Sequence, residues 1–201
     1  MNSSIPKIVL GSGSPRRSAI LSQIGFDFTK IISDVPEDHS TFPTPEDAVV
    51  GLSKAKAEAA AENLSNALVI GADTLVALDG EILGKPESAE HAGIMLRMLS
   101  GKTHEVFTGI TLIKTEGTCV SDFETTRVTF KKLEDWEIEA YIKTGSPFDK
   151  AGAYGIQDSS AVFIDKIEGC FYNVVGFPAA KFYKMLKKLY PEEIIKMMIN
   201  L

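Results

Sequence analysis

Hydrophobic and polar residues follow two different periods along this chain, and together they predict a mixed α/β protein. Short apolar runs bounded by glycine, proline or polar residues indicate strands, whereas apolar residues three and four positions apart indicate amphipathic helices. In the first half the predicted strands are Ile8–Leu10, Phe28–Ile32, Ala67–Gly71, Leu75–Leu78 and Ile82–Leu83. The predicted helices there are Thr44–Leu64 and a segment that begins at the cap Ser88 and ends at Ser100-Gly101.

The second half of the chain predicts a β-meander followed by helices. Its elements are strands at His104–Lys114 and Ser121–Phe130, a helix at Glu134–Lys143, a glycine-rich loop at Gly145–Gln157, a strand at Ala161–Ile167, a helix at Phe177–Leu189 and a helical tail at Pro191–Leu201. No repeat or linker interrupts the sequence. We therefore expect one compact α/β domain over residues 1–201, with two lobes and a groove between them.

Composition narrows the class of protein. The 201 residues carry a net charge of −6, so the chain is not expected to bind nucleic acid, which requires a basic surface. Cys119 and Cys170 have no CxxC spacing, and Met1–Pro6 is too short and polar for a signal peptide, so we expect free thiols and a cytoplasmic protein. No apolar run is long enough to predict a membrane span.

The segment Gly11–Arg17 is the first candidate for chemistry. It follows an apolar strand and predicts a small-residue turn, with Ser14 as helix cap and Pro15 at the first helical position. Arg16 and Arg17 then stand where the helix dipole disfavours a cation, and a bound phosphate would remove that conflict. The alternative is a capped helix with two solvated arginines. The Gly-Lys-Ser/Thr ending of a Walker A loop is absent.

Three further charged residues stand at unusual places. Lys56 shares an apolar helix face with Val49 and Leu52, so its ammonium group either reaches solvent or meets a buried anion. Asp73 follows a buried strand, where a carboxylate needs water, a metal ion or a cation, or else caps a turn. Lys85, between a glycine and a proline, is either aimed into a site or an ordinary loop lysine.

The glycines of the Asp149–Gln157 loop permit close approach of a ligand or a structural turn. His39, His91 and His104 have no metal-ligand spacing and are interpreted as surface or core residues.

Taken together, these segments give a specific resemblance. The chain resembles the Maf proteins, the septum-formation-inhibitor-like nucleotide pyrophosphatases. The matching blocks occur in family order and are Gly11–Arg17, Gly71–Thr74, Ile82–Pro86, Asp149–Gln157 and Tyr172–Pro178. Five ordered blocks along nearly the whole chain are far more specific than any single one.

The resemblance implies hydrolysis of nucleoside triphosphates to monophosphate and pyrophosphate, with a divalent metal, usually Mg²⁺. It also implies an elongated mixed sheet with flanking helices and a cleft between two lobes, similar to inosine triphosphatases, and a homodimer. Asp73 matches the proton acceptor. The looser match for a second acidic residue is Glu37, with Asp38 and Asp34 as alternatives. The residues that match the phosphate-handling set are Ser12, Arg16, Arg17, Lys56 and Lys85.

Within the family, the chain is similar to the branch that takes dTTP and UTP rather than the branch that takes 7-methyl-GTP. Arg16, Thr74 and Gln157 carry this similarity. The Gln157 amide can accept from the N3–H of uracil or thymine and donate to a ring carbonyl. Two positions depart from the usual pattern, because Asp158 replaces a common glycine and Cys170 a common serine.

The mechanism expected from the resemblance is attack of water on the α-phosphorus. Asp73 and Glu37 hold Mg²⁺, and Asp73 acts as a metal ligand or as the base. Arg16, Arg17 and the two lysines neutralise the triphosphate. The alternative functions are a non-catalytic nucleotide sensor or division-control protein, and a plain phosphatase.

Overall fold

The computed structural model describes residues 6–32, 34–191 and 193–198, and within these ranges it confirms a mixed α/β fold with helices flanking a sheet. The strands are β1 (Lys7–Leu10), β2 (Thr29–Lys30), β3 (Ala67–Leu78), β4 (Glu81–Leu83), β5 (Thr103–Lys114), β6 (Thr118–Phe130) and β7 (Ile164–Glu168). The helices are α1 (Pro15–Gln23), α2 (Pro45–Ala61), α3 (Ala89–Leu99), α4 (Asp135–Lys143), α5 (Phe171–Val175), α6 (Ala179–Leu189) and α7 (Ile194–Met197).

The sheet combines parallel and antiparallel pairing. Among the described residues its strand order is β2-β1-β3-β5-β6-β7, and β4 pairs with β3. β1 is parallel to both neighbours, and its last residue, Leu10, is paired with Ile70 of β3. β3 continues past this point and turns back into β4 as an antiparallel hairpin through Asp79 and Gly80. Three residues beyond its last pairing with β1, β3 carries Asp73.

The chain forms two compact units. The first unit contains the described parts of 1–73, 108–124 and 176–201, and the second unit contains 74–107 and 125–175. In the first unit, α2 packs on β1 and β3 through small side chains such as Ala57 and Ala60, which lie against Val9 and Val69. Small residues bring the axis of a helix close to the sheet on which it packs.

Glycines on two strands make this approach closer still. A Cβ on Gly71 of β3 would lie 2.1 Å from the carbonyl oxygen of Ser53 in α2, and one on Gly109 of β5 would lie 2.2 Å from that of Val49. The α2 backbone therefore lies directly on the sheet at two places. These contacts fix the distance between the α2 backbone, which carries Lys56, and β3.

The second unit has its own core. α3 places Ala92, Met95, Leu96 and Leu99 against the sheet, as its sequence pattern predicts, and Ser88 caps it by accepting from the His91 backbone. α4 begins at a reciprocal capping box between Glu134 and Glu137. Its buried residues Ile138 and Tyr141 join the same core.

Several predicted boundaries are wrong. The two strands predicted at Ala67–Gly71 and Leu75–Leu78 are one continuous strand, so Asp73 lies inside a strand rather than at its end. Phe28–Ile32 yields only the two residues of β2. The predicted strand Ala161–Ile167 begins as a 3₁₀ turn, Ser159–Phe163, which Asp158 caps. α5 lies in a segment for which no helix was predicted.

In the predicted helical tail, only Ile194–Met197 forms a helix, and residues 192 and 199–201 lie outside the described residues. Within the described ranges, no helix is both long and apolar enough to cross a membrane.

Candidate active site

The loop between β1 and α1 has the predicted local structure. Gly11 continues the sheet hydrogen bonding, because its amide donates to the carbonyl oxygen of Ile70 at 2.8 Å. Ser14 is the N-cap of α1 and its Oγ accepts from the amide of Arg17 at 3.4 Å, while Pro15 is the first helical residue. The free amides and dipole of a helix N-terminus favour an anion.

Arg17 folds back over this loop instead of extending into solvent. Its Nη1 donates to Oγ of Ser12 at 3.1 Å, and its Nε donates to the carbonyl oxygen of Gly176 at 2.9 Å. Gly176 has a φ of 108°, a left-handed conformation that glycine adopts without strain. The Tyr172–Pro178 block thus contributes a carbonyl group that orients Arg17, a role that the sequence did not reveal.

The charge around Arg17 is mixed. Burial, and then repulsion by Arg16, lower the pKa of Arg17, whereas the carboxylates of Asp73 and Glu37 act in the opposite direction. Arg17 therefore lies within electrostatic reach of two carboxylates and of Arg16, and the predicted pair of solvated arginines does not describe Arg17.

Lys56 meets two carboxylates, one of them buried, which settles the two interpretations of its position. Its Nζ donates to Oδ1 of Asp73 and to Oε1 of Glu37, both at 2.6 Å. Lys56 is only 8% exposed and Asp73 only 3%. Of the three acidic residues considered for the second acidic position, Glu37 pairs with Lys56, whereas Asp38 caps the 3₁₀ turn at Ser40.

The second oxygen of Asp73 is held by His39, which the sequence analysis placed among ordinary surface or core residues. Its Nε2 donates to Oδ2 of Asp73 at 2.9 Å. His39 stands two residues after Glu37, in the loop that follows β2, and neither its spacing nor its neighbours in the sequence indicated this contact. We call Arg17, Glu37, His39, Lys56 and Asp73 the charged cluster.

The charged cluster keeps Asp73 ionised. Burial by itself would raise the pKa of this carboxyl group, but the hydrogen bond from His39 and the charge and hydrogen bond of Lys56 outweigh it. The pKa of Asp73 is thereby held below its ordinary value. A buried carboxylate with bound donors on both oxygens is a functional-site candidate with a clear physical cause.

The remaining predicted site residues belong to the second unit, apart from Arg16, which lies in the first turn of α1. Thr74 follows Asp73 in β3, so alternation along the strand points its side chain to the opposite face. Lys85 is exposed and directly follows Gly84, whose carbonyl oxygen accepts from the amide of Gly152 at 3.0 Å. This bond links the loop of Lys85 to the loop that carries the exposed Gln157.

The donor set is suited to a divalent cation shared with a substrate. Asp73 and Glu37 present carboxylate oxygens that already surround one cationic group, the Lys56 ammonium. Within the described residues, no group of three or more His, Cys, Asp or Glu could hold an ion unaided. Mg²⁺ commonly takes one or two carboxylates and completes its shell with water and substrate phosphates, so these two residues fit it.

The fold and the charged cluster define an α/β protein equipped for a polyanion, with a strand–loop–helix unit and cations beside a buried carboxylate. The family model described as Maf-like protein matches residues 7–189. The chain therefore belongs to the Maf-like family, as its five sequence blocks predicted.

Relatives that carry one shared name are similar along most of their length. A protein named dTTP/UTP pyrophosphatase from Bacillus mycoides (strain KBAB4) is 47% identical over 182 residues, which cover 90% of this chain and 95% of the relative. A protein of the same name from Bacillus cereus (strain ATCC 14579) is 46% identical over the same shares. Among solved structures, the Ham1 protein of Staphylococcus aureus is 17% identical, with a TM-score of 0.49 over 93% of this chain and 99% of that chain.

Proposed function

We propose that this protein is a nucleoside triphosphate pyrophosphatase that hydrolyses dTTP and UTP to the monophosphate and pyrophosphate. The relatives named dTTP/UTP pyrophosphatase support the activity and the substrates, since they are 46–47% identical over 90% of this chain. The observation that carries the proposal is the ionised, buried Asp73 held between Lys56 and His39, in the same unit as the loop at the N-terminus of α1.

In the proposed reaction, water attacks the α-phosphorus, the bond from that phosphorus to the bridging oxygen breaks, and pyrophosphate leaves. Asp73 orients the water and accepts its proton, or else binds the metal ion directly. Ser12, Arg16, Arg17 and Lys56 bind the phosphates and offset the negative charge that builds on the leaving group. Lys85 adds a further cation.

A divalent cation, which we propose to be Mg²⁺, fits Asp73 and Glu37 and would supply charge neutralisation at the phosphates. The Lys56 ammonium group lies between these two carboxylates, so a cation held by them would take its place. Lys56 would then be able to donate to a phosphate oxygen.

The nucleobase is proposed to be read by Thr74 and Gln157. The Gln157 amide can pair with the N3–H and a carbonyl oxygen that uracil and thymine share. Cytosine lacks the N3–H, so it is disfavoured by the same contact.

The decisive experiment identifies the products from dTTP and UTP with Mg²⁺ and pure protein. Pyrophosphate and monophosphate are expected. Release of orthophosphate would indicate a plain phosphatase, and binding without turnover would indicate a nucleotide sensor.

Asp73→Asn is expected to lose several orders of magnitude in kcat and to retain nucleotide binding, because the phosphate-binding cations remain. Near-normal turnover of this variant contradicts the role of Asp73.

The homodimer and the cytoplasmic location are further proposals. Light scattering on the pure protein measures the first, and the absence of a second copy in solution contradicts it.

A further inference from the structure

We propose that Asp158 is a positioning residue that fixes the turn carrying Gln157 and thereby sets selectivity for the pyrimidine base. This inference rests on the base-reading role of Gln157 in the proposed function. Asp158 stands where the family resemblance leads one to expect glycine, so the sequence gives no reason for a carboxylate here. The structure supplies one.

Both oxygens of the Asp158 carboxylate are engaged. Oδ1 accepts from the backbone amide of Ser160 at 2.9 Å and lies 2.7 Å from its hydroxyl oxygen. Oδ2 accepts from the hydroxyl of Tyr141 at 3.1 Å and lies 3.3 Å from Nζ of Lys150. One side chain thus joins the turn to α4 and to the loop that precedes it.

The turn is closed from its other end through Ser160. The amide of Gly155 donates to Oγ of Ser160 at 3.0 Å, and the same Oγ lies 2.8 Å from the carbonyl oxygen of Gly155. The hydroxyl has a single proton, which it gives either to this carbonyl group or to Asp158. In both arrangements, Gly155 is held by its amide to the Ser160 hydroxyl and Asp158 is held by the Ser160 amide, so the buried Ser160 joins the residues on either side of Gln157.

The space around the turn is filled by the same residues. A Cβ on Gly155 would lie 2.6 Å from Cε of Lys150 and 2.8 Å from Oδ2 of Asp158. Lys150 is itself held by Asp149 at 2.6 Å and by the carbonyl oxygen of Ser146. The Lys150 side chain and the Asp158 carboxylate therefore pack tightly against the backbone of the turn.

Gln157 lies between these fixed points with its own side chain exposed. The backbone of Asp158 has a φ of −113° and a ψ of −165°, an extended conformation that requires no special residue. The contacts of the carboxylate, and not the backbone conformation, explain why an aspartate stands at position 158. A turn held in this way presents the Gln157 amide without a large entropic cost on binding, which is the advantage of preorganisation.

The test compares a reaction that needs the base with binding that does not. Asp158→Ala is expected to lower kcat/KM for UTP at least about tenfold, the order of loss for a displaced contact group, through a higher KM. The Ki of inorganic tripolyphosphate, which has no base, is expected to stay within about twofold, since the phosphate-binding residues are unchanged. Asp158→Asn, which keeps an oxygen for Ser160, is expected to recover part of the loss.

A double-mutant cycle shows whether Asp158 acts through Gln157. Gln157→Ala alone is expected to lower kcat/KM for UTP, and adding Asp158→Ala to it is expected to cause little further loss, because there is no longer an amide to position. Tyr141→Phe, which removes one donor and keeps the ring, is expected to give a smaller effect of the same kind. It also replaces Asp158→Ala should that variant not fold.

The control is Glu137→Gln. Glu137 is likewise a carboxylate of the second unit that pairs with a lysine, Lys131, and accepts from a backbone amide, that of Glu134. It is expected to leave both kcat/KM for UTP and the Ki of tripolyphosphate unchanged.

The inference is overturned by unchanged kcat/KM for UTP in Asp158→Ala, by equal losses for UTP and tripolyphosphate, or by independent effects in the cycle. If the wild-type protein releases no pyrophosphate from UTP or dTTP, the proposed function itself fails, and this result is seen before any variant is measured.

Discussion

Lys56 neutralises the two carboxylates of the charged cluster. It is the cation between Asp73 and Glu37, at 2.6 Å from an oxygen of each. Without it, the buried Asp73 keeps the hydrogen bond from His39 but stands near a second negative charge, that of Glu37. Removal of one partner from a buried ion pair is costly because the other charge stays buried.

We therefore expect Lys56→Met to lower the free energy of unfolding by about 3 kcal/mol at pH 7. Adding Asp73→Asn to it should restore part of that loss, since the amide carries no charge. Urea unfolding measures both. The control is Lys54→Met, because Lys54 on the same helix is 52% exposed and 3.8 Å from Glu58, and it should have little effect. Losses that simply add in the double variant would contradict the coupling.

A second buried titratable residue, His104, lies in the core of the second unit. It is 1% exposed, shares a 2.7 Å hydrogen bond with the hydroxyl of Tyr154, and packs against Phe130. Within the described part of the chain, its Nδ1 has no hydrogen-bond partner. Burial lowers the pKa of His104 from 6.5 to about 4.

This shift makes the stability depend on pH. Above pH 6.5 His104 is neutral in both the folded and the unfolded states. As the pH falls from 6.5 towards 4, the unfolded state binds a proton that the folded state excludes, so the free energy of unfolding decreases by about 3 kcal/mol. Urea unfolding at pH 7.5, 6 and 4.5 should show this loss, and His104→Gln should lack it. An equally steep decrease in His104→Gln would refute the assignment.

Among the elements, the contact between α2 and the sheet matters most for the charged cluster. Lys56 reaches Asp73 because α2 lies directly on β3, and Gly71 makes that possible. A Cβ on Gly71 would meet backbone atoms of α2, the Ser53 oxygen at 2.1 Å and the Ala57 nitrogen at 2.8 Å. Neither atom can rotate away, so the whole helix would have to move.

Gly71→Ala is therefore expected to lower the free energy of unfolding by about 3 kcal/mol, the upper range for an overpacked core. It should also lower kcat, because a displaced α2 carries Lys56 away from Asp73. Gly93→Ala in α3 is the control, since its Cβ would meet only the mobile end of Arg97 at 3.1 Å and Ile142 at 3.5 Å. A Gly71→Ala variant with wild-type stability and turnover would show that α2 can shift freely.

Hydrophobic periodicity predicted some helices and strands correctly and others not. α3 was predicted with its cap and its buried face because both are encoded within a dozen consecutive residues. β3 was divided into two strands because Gly71 and Asp73 interrupt its apolar pattern. The strand continues through them because α2 covers Gly71 and because the cations that pair with Asp73 are supplied from outside β3.

For the whole molecule, a net charge of −6 must be reconciled with a polyanionic substrate. The net charge opposes long-range attraction of the nucleotide, so we expect binding to depend on short-range contacts with the clustered cations and with the base. A ligand that binds only the folded state stabilises it by mass action.

We accordingly expect α,β-methylene-UTP with Mg²⁺, at about a hundred times its Kd, to raise the free energy of unfolding by about 2.7 kcal/mol. The same concentration of α,β-methylene-ATP should raise it less, because the base contact is missing. Thermal or urea unfolding with each analogue measures the difference. Equal stabilisation by the two would mean that the phosphates alone determine binding.

The class of fold, the capped helix after β1 and most charged residues of the candidate site were predictable from the amino-acid sequence. These features are local, because a cap, a periodic face or a lysine on an apolar face is defined within a few neighbouring residues. The ordered blocks added the family, which the comparison with known proteins confirmed.

Which charges meet depends on the folded arrangement of the whole chain. His39 and Asp73 are 34 residues apart, and Arg17 and Gly176 are 159 apart, yet each pair shares a hydrogen bond. No local pattern encodes such a contact, because it depends on how the strands align in the sheet and how closely α2 packs on them. The fold also places Lys56 against a buried carboxylate instead of in solvent, since burying a charge is favourable only when its partner is already in place.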